Sequence, residues 1–160
     1  MTTFENATKE EVEKTINQWL VDEGYNVQQP MNSNTFFMYE IIKSNTQLHI
    51  GQHKESKDSV IINGSVIFTG DEQNMLRYLK TKRGLLYELE IVFALANIDF
   101  SLKPNVTTDE FTIEDTQLSK TIYYDALTKQ SFFDALLSIF NCVKLIRERF
   151  KLLGLGSTTT

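Results

Sequence analysis

The stretch from Thr35 to Phe68 reads TFFMYEIIKSNTQLHIGQHKESKDSVIINGSVIF, and its three runs decide the fold. Thr35–Ile42 is dense in aromatic and β-branched residues, as strands are. Ser44-Asn45 punctuates it, Gln47–His53 alternates apolar with polar residues, and Lys54–Asp58 is a polar turn before Ser59–Phe68. Connections this short join neighbouring antiparallel strands, because a parallel return needs a crossover of about a dozen residues or more. A three-stranded meander is expected. Asn63-Gly64 inside the third run reads either as a tight turn or as a bulge.

Outward from this meander the period changes. On the N-terminal side, Thr8 and Glu11 form a capping box, and Val12, Ile16, Trp19 and Leu20 recur at helical spacing until Gly24. Tyr25 and Val27 then alternate with polar residues until Pro30. On the C-terminal side, Thr69 and Glu72 form a second capping box before a helix to about Ala96, with Met75, Leu79, Leu86, Leu89 and Phe93 on one face and Gly84 as a kink or break. The half from Leu85 to Ala96 is apolar nearly all round, so this domain or a partner must wrap it. Short strands are expected at Asp99–Lys103, Glu110–Glu114 and Thr121–Tyr124, with Asn105–Asp109 as a loop. Thr128 caps a closing helix from about Lys129 to Leu153, with Phe133, Leu136, Leu137, Phe140, Val143, Ile146 and Phe150 as its core stripe, widened by Phe132 and Ile139. Gly154 stops it, and 155–160 reads as a flexible tail after a single α+β domain over 1–154.

The net charge of -5 argues against general nucleic-acid binding, which needs clustered excess Lys and Arg. Two local basic runs remain, Arg77, Lys80, Lys82, Arg83 and Lys144, Arg147, Arg149, Lys151, and both read as solvated helix faces. The longest apolar stretch, Leu85–Ile98, is too short to span a bilayer and is interrupted by Glu88 and Glu90. The polar, acidic Met1–Glu11 is neither a signal nor a transit peptide, and the single Cys142 allows no intrachain disulfide, so a cytoplasmic setting is expected.

No chemical motif stands out. His49 and His53 share a strand face but lie about 13 Å apart at about 3.3 Å per residue, too far for one metal. Cys142 sits mid-helix among apolar neighbours, where a thiol is inert. Asp109, Glu110, Glu114 and Asp115 lack the alternating ligands and glycine of a calcium loop. The glycines make no dinucleotide or phosphate loop, and there is no G-x-S-x-G elbow. No catalytic, metal or cofactor residues are assigned. The most distinctive segment is aromatic, Ile122 to Phe140. It reads as a capped helix start with packed rings, or as an edge that binds a partner.

Two motifs carry a resemblance. Ile122-Tyr123-Tyr124-Asp125-Ala126-Leu127-Thr128-Lys129-Gln130-Ser131-Phe132-Phe133 resembles the "(I/V)Y-aromatic-D-G-L-(T/S)-(K/R)-x-x-F-(F/M)" closing motif of an archaeal and bacterial family of unknown function. Trp19-Leu20-x-x-Glu23-Gly24-Tyr25 is similar to its "W-L-x-x-E-G-(Y/F)" opening. The likeness runs from about Val12 to Phe150. It implies the fold of YbjN-like proteins and type III secretion chaperones, an antiparallel sheet with helices packed on it, in the order α-β-β-β-α-β-β-(β)-α. Many such proteins are dimers that bind polypeptides. Ala126 departs from the family's frequent Gly, so its turn should differ if that Gly has positive φ. No catalytic residue is implied.

The expectation is a non-enzymatic, protein-binding or chaperone-like module, homodimeric or with a polypeptide partner. Its interface is expected at Phe132, Leu136, Ile139, Phe140, Ile91, Val92 and Leu95. The alternatives are a small-molecule-binding or catalytic domain with a pocket between sheet and helices, and a nucleic-acid accessory role for the basic C-terminal turns.

Overall fold

The computed structural model describes residues 4–73, 82–107 and 110–152, with side chains for 4–73, 84, 87–101 and 116–152. In chain order the elements are α1 (Lys9–Asp22), β1 (Val27–Gln28), β2 (Thr35–Lys43), β3 (Thr46–His53), β4 (Ser59–Ile67), α2 (Lys82–Leu95), β5 (Asp99–Thr107), β6 (Glu110–Tyr123) and α3 (Lys129–Leu152). The strands form one antiparallel sheet in the order β1-β2-β3-β4-β6-β5. It is an α+β architecture with the expected element order.

The meander forms as its spacing predicts. Ser44 and Asn45 both take positive φ between the paired Lys43 and Thr46, the geometry of a type I′ hairpin turn. Asn63-Gly64 is neither turn nor bulge. β4 runs through it in unbroken register with both β3 and β6. The glycine is there for a different reason. A Cβ on Gly64 would stand 2.8 Å from Cγ2 of both Ile139 and Val143, so α3 crosses the sheet too closely for any side chain.

The strands after α2 also differ from expectation. Glu110–Glu114 and Thr121–Tyr123 are the two ends of one 14-residue strand, and Tyr124 begins the turn after it. The polar residues between them interrupt the apolar signal but not the alternation, since Thr116, Leu118 and Ile122 point inward. β6 lies between β4 and β5 and is paired on both sides from Asp115 to Ser119. Asn105–Thr107 belong to β5, not to a loop, and Thr107 pairs with Glu110.

Alternation sends Phe37, Tyr39, Ile41, Leu48, Ile50, Val60, Ile62, Val66, Leu118 and Ile122 into one core with the helices. α1 has both halves of its capping box, buries Val12, Ile16 and Leu20, and ends before Gly24 at φ +78°. Thr69 and Glu72 also cap each other reciprocally, and residues 70–73 are helical. Met75 and Leu79 of the expected stripe lie outside the described residues, as does the side chain of Leu86. α2 is continuous past Gly84. It ends in a Schellman motif: Asn97 takes φ +53° and donates to Ala94, while Ile98 donates to Phe93.

α3 begins where Thr128 predicts. The Ser131 amide donates to Thr128 Oγ1 at 3.1 Å and the Thr128 amide donates to Ser131 Oγ at 2.9 Å. Its buried residues are Phe132, Ala135, Leu136, Ile139, Cys142, Val143, Ile146 and Phe150. The stripe is thus rotated from the expected one. Leu137 is exposed, Phe133 and Phe140 are half-buried, and Phe132 and Ile139 sit at its centre. The proposed stop at Gly154 and the tail 155–160 lie outside the described residues.

Candidate docking surface

The two sequence motifs meet at the junction of α1 and α3. Glu23 Oε1 accepts an ion pair from Lys129 Nζ at 2.8 Å. The Tyr25 and Phe133 rings stack 13° from parallel with centroids 6.4 Å apart, and Trp19 lies 5.8 Å from Phe132. Phe4 adds an edge-on ring to Trp19. Lys43 holds its ammonium over both Tyr25 and Phe140, and Lys129 sits over Phe133. These contacts fasten the end of the first helix to the start of the last. Ala126 is absent from the positive-φ residues, so the turn before α3 does not require glycine.

This arrangement corrects part of the expected interface. Phe132, Leu136 and Ile139 are buried in the chain's own core, where no partner reaches them, and Phe140 is half-buried beside Lys43. The wide apolar arc of α3 is used up by the sheet below it and by Trp19 beside it.

α2 is arranged otherwise. Leu89 and Phe93 are buried, with the Phe93 ring 4.8 Å from Phe100. Ile91, Val92 and Leu95 are exposed, as is Tyr87, which the sequence reading did not single out. The signal was present: Tyr87, Ile91 and Leu95 stand four residues apart, one above another on a helix. Leu95 is 83% exposed and Tyr87 67%, so the row is apolar surface that no element among the described residues covers. Among the described residues, nothing stands within 4 Å of a Cβ on Gly84, one turn earlier.

The sheet offers less to a partner. β2 is covered by β1 only at Glu40 and Ile41 and is bulged between Thr35 and Phe37. β5 is the other edge, with Pro104 and a register shift beside Lys103. A proline and bulges blunt an edge against strand addition. The open face of the sheet is polar where His49 meets Glu40 across β2 and β3, at 3.3 Å.

Several ionisable groups are occupied structurally. Arg147 donates to the Asn45 carbonyl and to Thr46 Oγ1, Arg149 pairs with Glu88, and Lys151 pairs with Glu148, while Lys144 is exposed and has no such partner among the described residues. The side chains of Arg77, Lys80, Lys82, Arg83, Asp109, Glu110, Glu114 and Asp115 lie outside those described. Among the described residues, no three His, Cys, Asp or Glu side chains are grouped to hold a metal. Burial pushes the Cys142 thiol up, against a smaller pull from Lys120. Burial likewise raises the Tyr124 phenol, which donates to Gln52 Oε1 at 2.6 Å. Tyr39 is pushed up to about 12 by burial and by Glu13. All three shifts favour the neutral form and move away from the range of acid–base work at neutral pH. No helix among the described residues is long and apolar enough to cross a membrane.

A family model described as an uncharacterized conserved protein matches residues 12–150, which holds both motifs and nearly all of the core. The chain belongs to the DUF2299 family. No curated protein matches it. An uncharacterized protein from Methanothermobacter thermautotrophicus has a similar crystal structure, with a TM-score of 0.70 at 18% identity over 86% of this chain and 98% of that one. YbjN from E. coli is similar with a TM-score of 0.53 at 10% identity, over 89% of this chain and 93% of its own. At such identities the likeness is one of fold. This DUF2299 chain therefore has the YbjN-like fold implied by its two motifs.

Proposed function

We propose that this protein is a non-enzymatic protein-binding module, homodimeric or docking a polypeptide, with the outer row of α2 as its docking surface. The carrying observation is the exposure of Tyr87, Ile91, Val92 and Leu95 on a helix whose Leu89 and Phe93 are core. Exposed apolar residues scattered singly need no explanation, but a contiguous patch does. The seat of α3 on Gly64 also favours this reading over a pocket between sheet and helices, since the two layers are in contact at the centre.

The test is Ile91→Asp combined with Leu95→Asp. Leu95 is 83% exposed and Ile91 43%, so the domain should stay folded while any association is lost. If light scattering and co-purified chains are the same for variant and parent, α2 is not the docking surface. If the variant unfolds, Leu95→Ser, at the most exposed position of the row, serves as the milder probe.

A further inference from the structure

Asn63-Gly64 is the only Asn-Gly pair in the sequence, and such a pair is chemically reactive. The backbone nitrogen of the glycine can attack the asparagine carboxamide. The nitrogen bonds to Cγ, ammonia leaves, and a succinimide ring closes. Water then opens the ring at either carbonyl, giving aspartate or isoaspartate. Glycine in the second place favours this step, because no Cβ shields its nitrogen and its backbone turns freely.

The fold accounts for the glycine but not for the asparagine. Gly64 is required by α3, since a Cβ there would stand 2.8 Å from Ile139 and Val143. Asn63 lies on the opposite, open face of the sheet and is exposed, so packing leaves its identity free. The chain thus carries its one labile pair in an inner strand.

The same strand blocks the reaction. Asn63 is paired with His49 of β3 and Ser119 of β6, and Gly64 with Leu48 and Leu118. Ring closure requires the Gly64 nitrogen and the Asn63 Cβ to eclipse across the Cα–C bond. That is a rotation of about 100° in ψ from the extended value, outside the main allowed regions. It would swing the following peptide out of the ladder and draw Gly64 from beneath α3.

The product does not fit the strand either. Isoaspartate carries the main chain through Cβ and Cγ, which adds a backbone atom between positions 63 and 64. β4 then loses its register with β3 and β6 beyond that point, and Gly64 no longer meets α3.

From this geometry we infer that Asn63-Gly64 is a deamidation site gated by folding. It is closed while β4 is paired and open in the unfolded chain, and its isoaspartyl product cannot rebuild the sheet. Time spent unfolded is thereby recorded irreversibly in an inner strand, and copies that linger unfolded lose the ability to refold.

The test is to incubate the full chain at mildly alkaline pH, folded in buffer and unfolded in guanidinium chloride. Mass spectrometry of the peptide holding positions 63 and 64 follows the conversion and separates aspartate from isoaspartate. Conversion should run at least about a hundredfold faster in guanidinium, because the folded strand reacts only when it opens. A smaller ratio would overturn the gate. After the denaturant is removed, chains with asparagine or aspartate should refold, and isoaspartyl chains should be missing from the native fraction on size exclusion. Isoaspartyl chains within that fraction would overturn the block on refolding. Asn63→Gln must close a larger, slower ring and should keep its refolding yield after the same incubation. A loss of yield equal to the parent's would place the damage elsewhere and overturn the assignment to Asn63.

Discussion

α3 buries eight side chains against the sheet and seats itself on a glycine, whereas α2 buries Leu89 and Phe93 and turns Tyr87, Ile91, Val92 and Leu95 outward. Both helices are rich in apolar residues. What separates them is where those residues fall around the helix. On α3 they recur in alternating steps of four and three from Phe132 to Phe150, so a single face takes nearly all of them. On α2 they occupy two faces, and the sheet can cover only one. Counting apolar residues therefore does not locate an exposed apolar face. Finding which face lacks a neighbour does.

The contrast can be broken by mutation. The largest effect is expected from Phe132→Ala, which opens a cavity between Trp19 and the core and should cost about 3–5 kcal/mol in denaturant unfolding. A loss below about 1 kcal/mol would mean that α3 is not seated as described. Next, Gly64→Ala should cost about 1–3 kcal/mol, because its methyl group meets Ile139 and Val143 and α3 must lift. Gly84→Ala should do the opposite, and raise the stability of the monomer by up to about 1 kcal/mol. Equal signs for the two glycines would dissolve the distinction between the helices. Thr128→Ala removes the cap of α3 and should cost about 1 kcal/mol. The smallest effect belongs to Leu95→Ser, within about 0.5 kcal/mol for the folded monomer, since that side chain already faces water.

Much of the fold was legible because local chemistry and global packing agreed. The Thr8, Thr69 and Thr128 caps form as read, and so does the meander with its Ser44-Asn45 turn. β6 was harder. Its middle is polar on both sides of Leu118, and it is a strand because β4 and β5 fill its backbone hydrogen bonds, which no local pattern records. Gly64 was misread for a similar cause: the chemistry of Asn-Gly is that of a turn, but its use here is set by a helix 75 residues further on at Ile139. The exposed face of α2 was half legible. Ile91, Val92 and Leu95 followed from an all-round apolar helix, but which side the sheet would take depended on where β5 placed Phe100. On α3 the expected interface fell on Phe132, Leu136 and Ile139 because nothing local foretold Trp19 and the sheet closing over them.

The place of β6 in the sheet also constrains how the protein is made. β4 finds its second neighbour only when the chain has reached the residues that join Ile67 to Asp115 and Ser59 to Tyr123. At synthesis rates of about 5–20 residues per second, that interval lasts several seconds or more. Through it, a run containing Val60, Ile61, Ile62, Val66 and Ile67 presents an unpaired edge of the kind that recruits other chains. Sheet closure is thus a late event in the nascent chain. Crowding of ribosomes on one message, or a pause between residues 67 and 115, would lengthen the period in which newly made copies can aggregate.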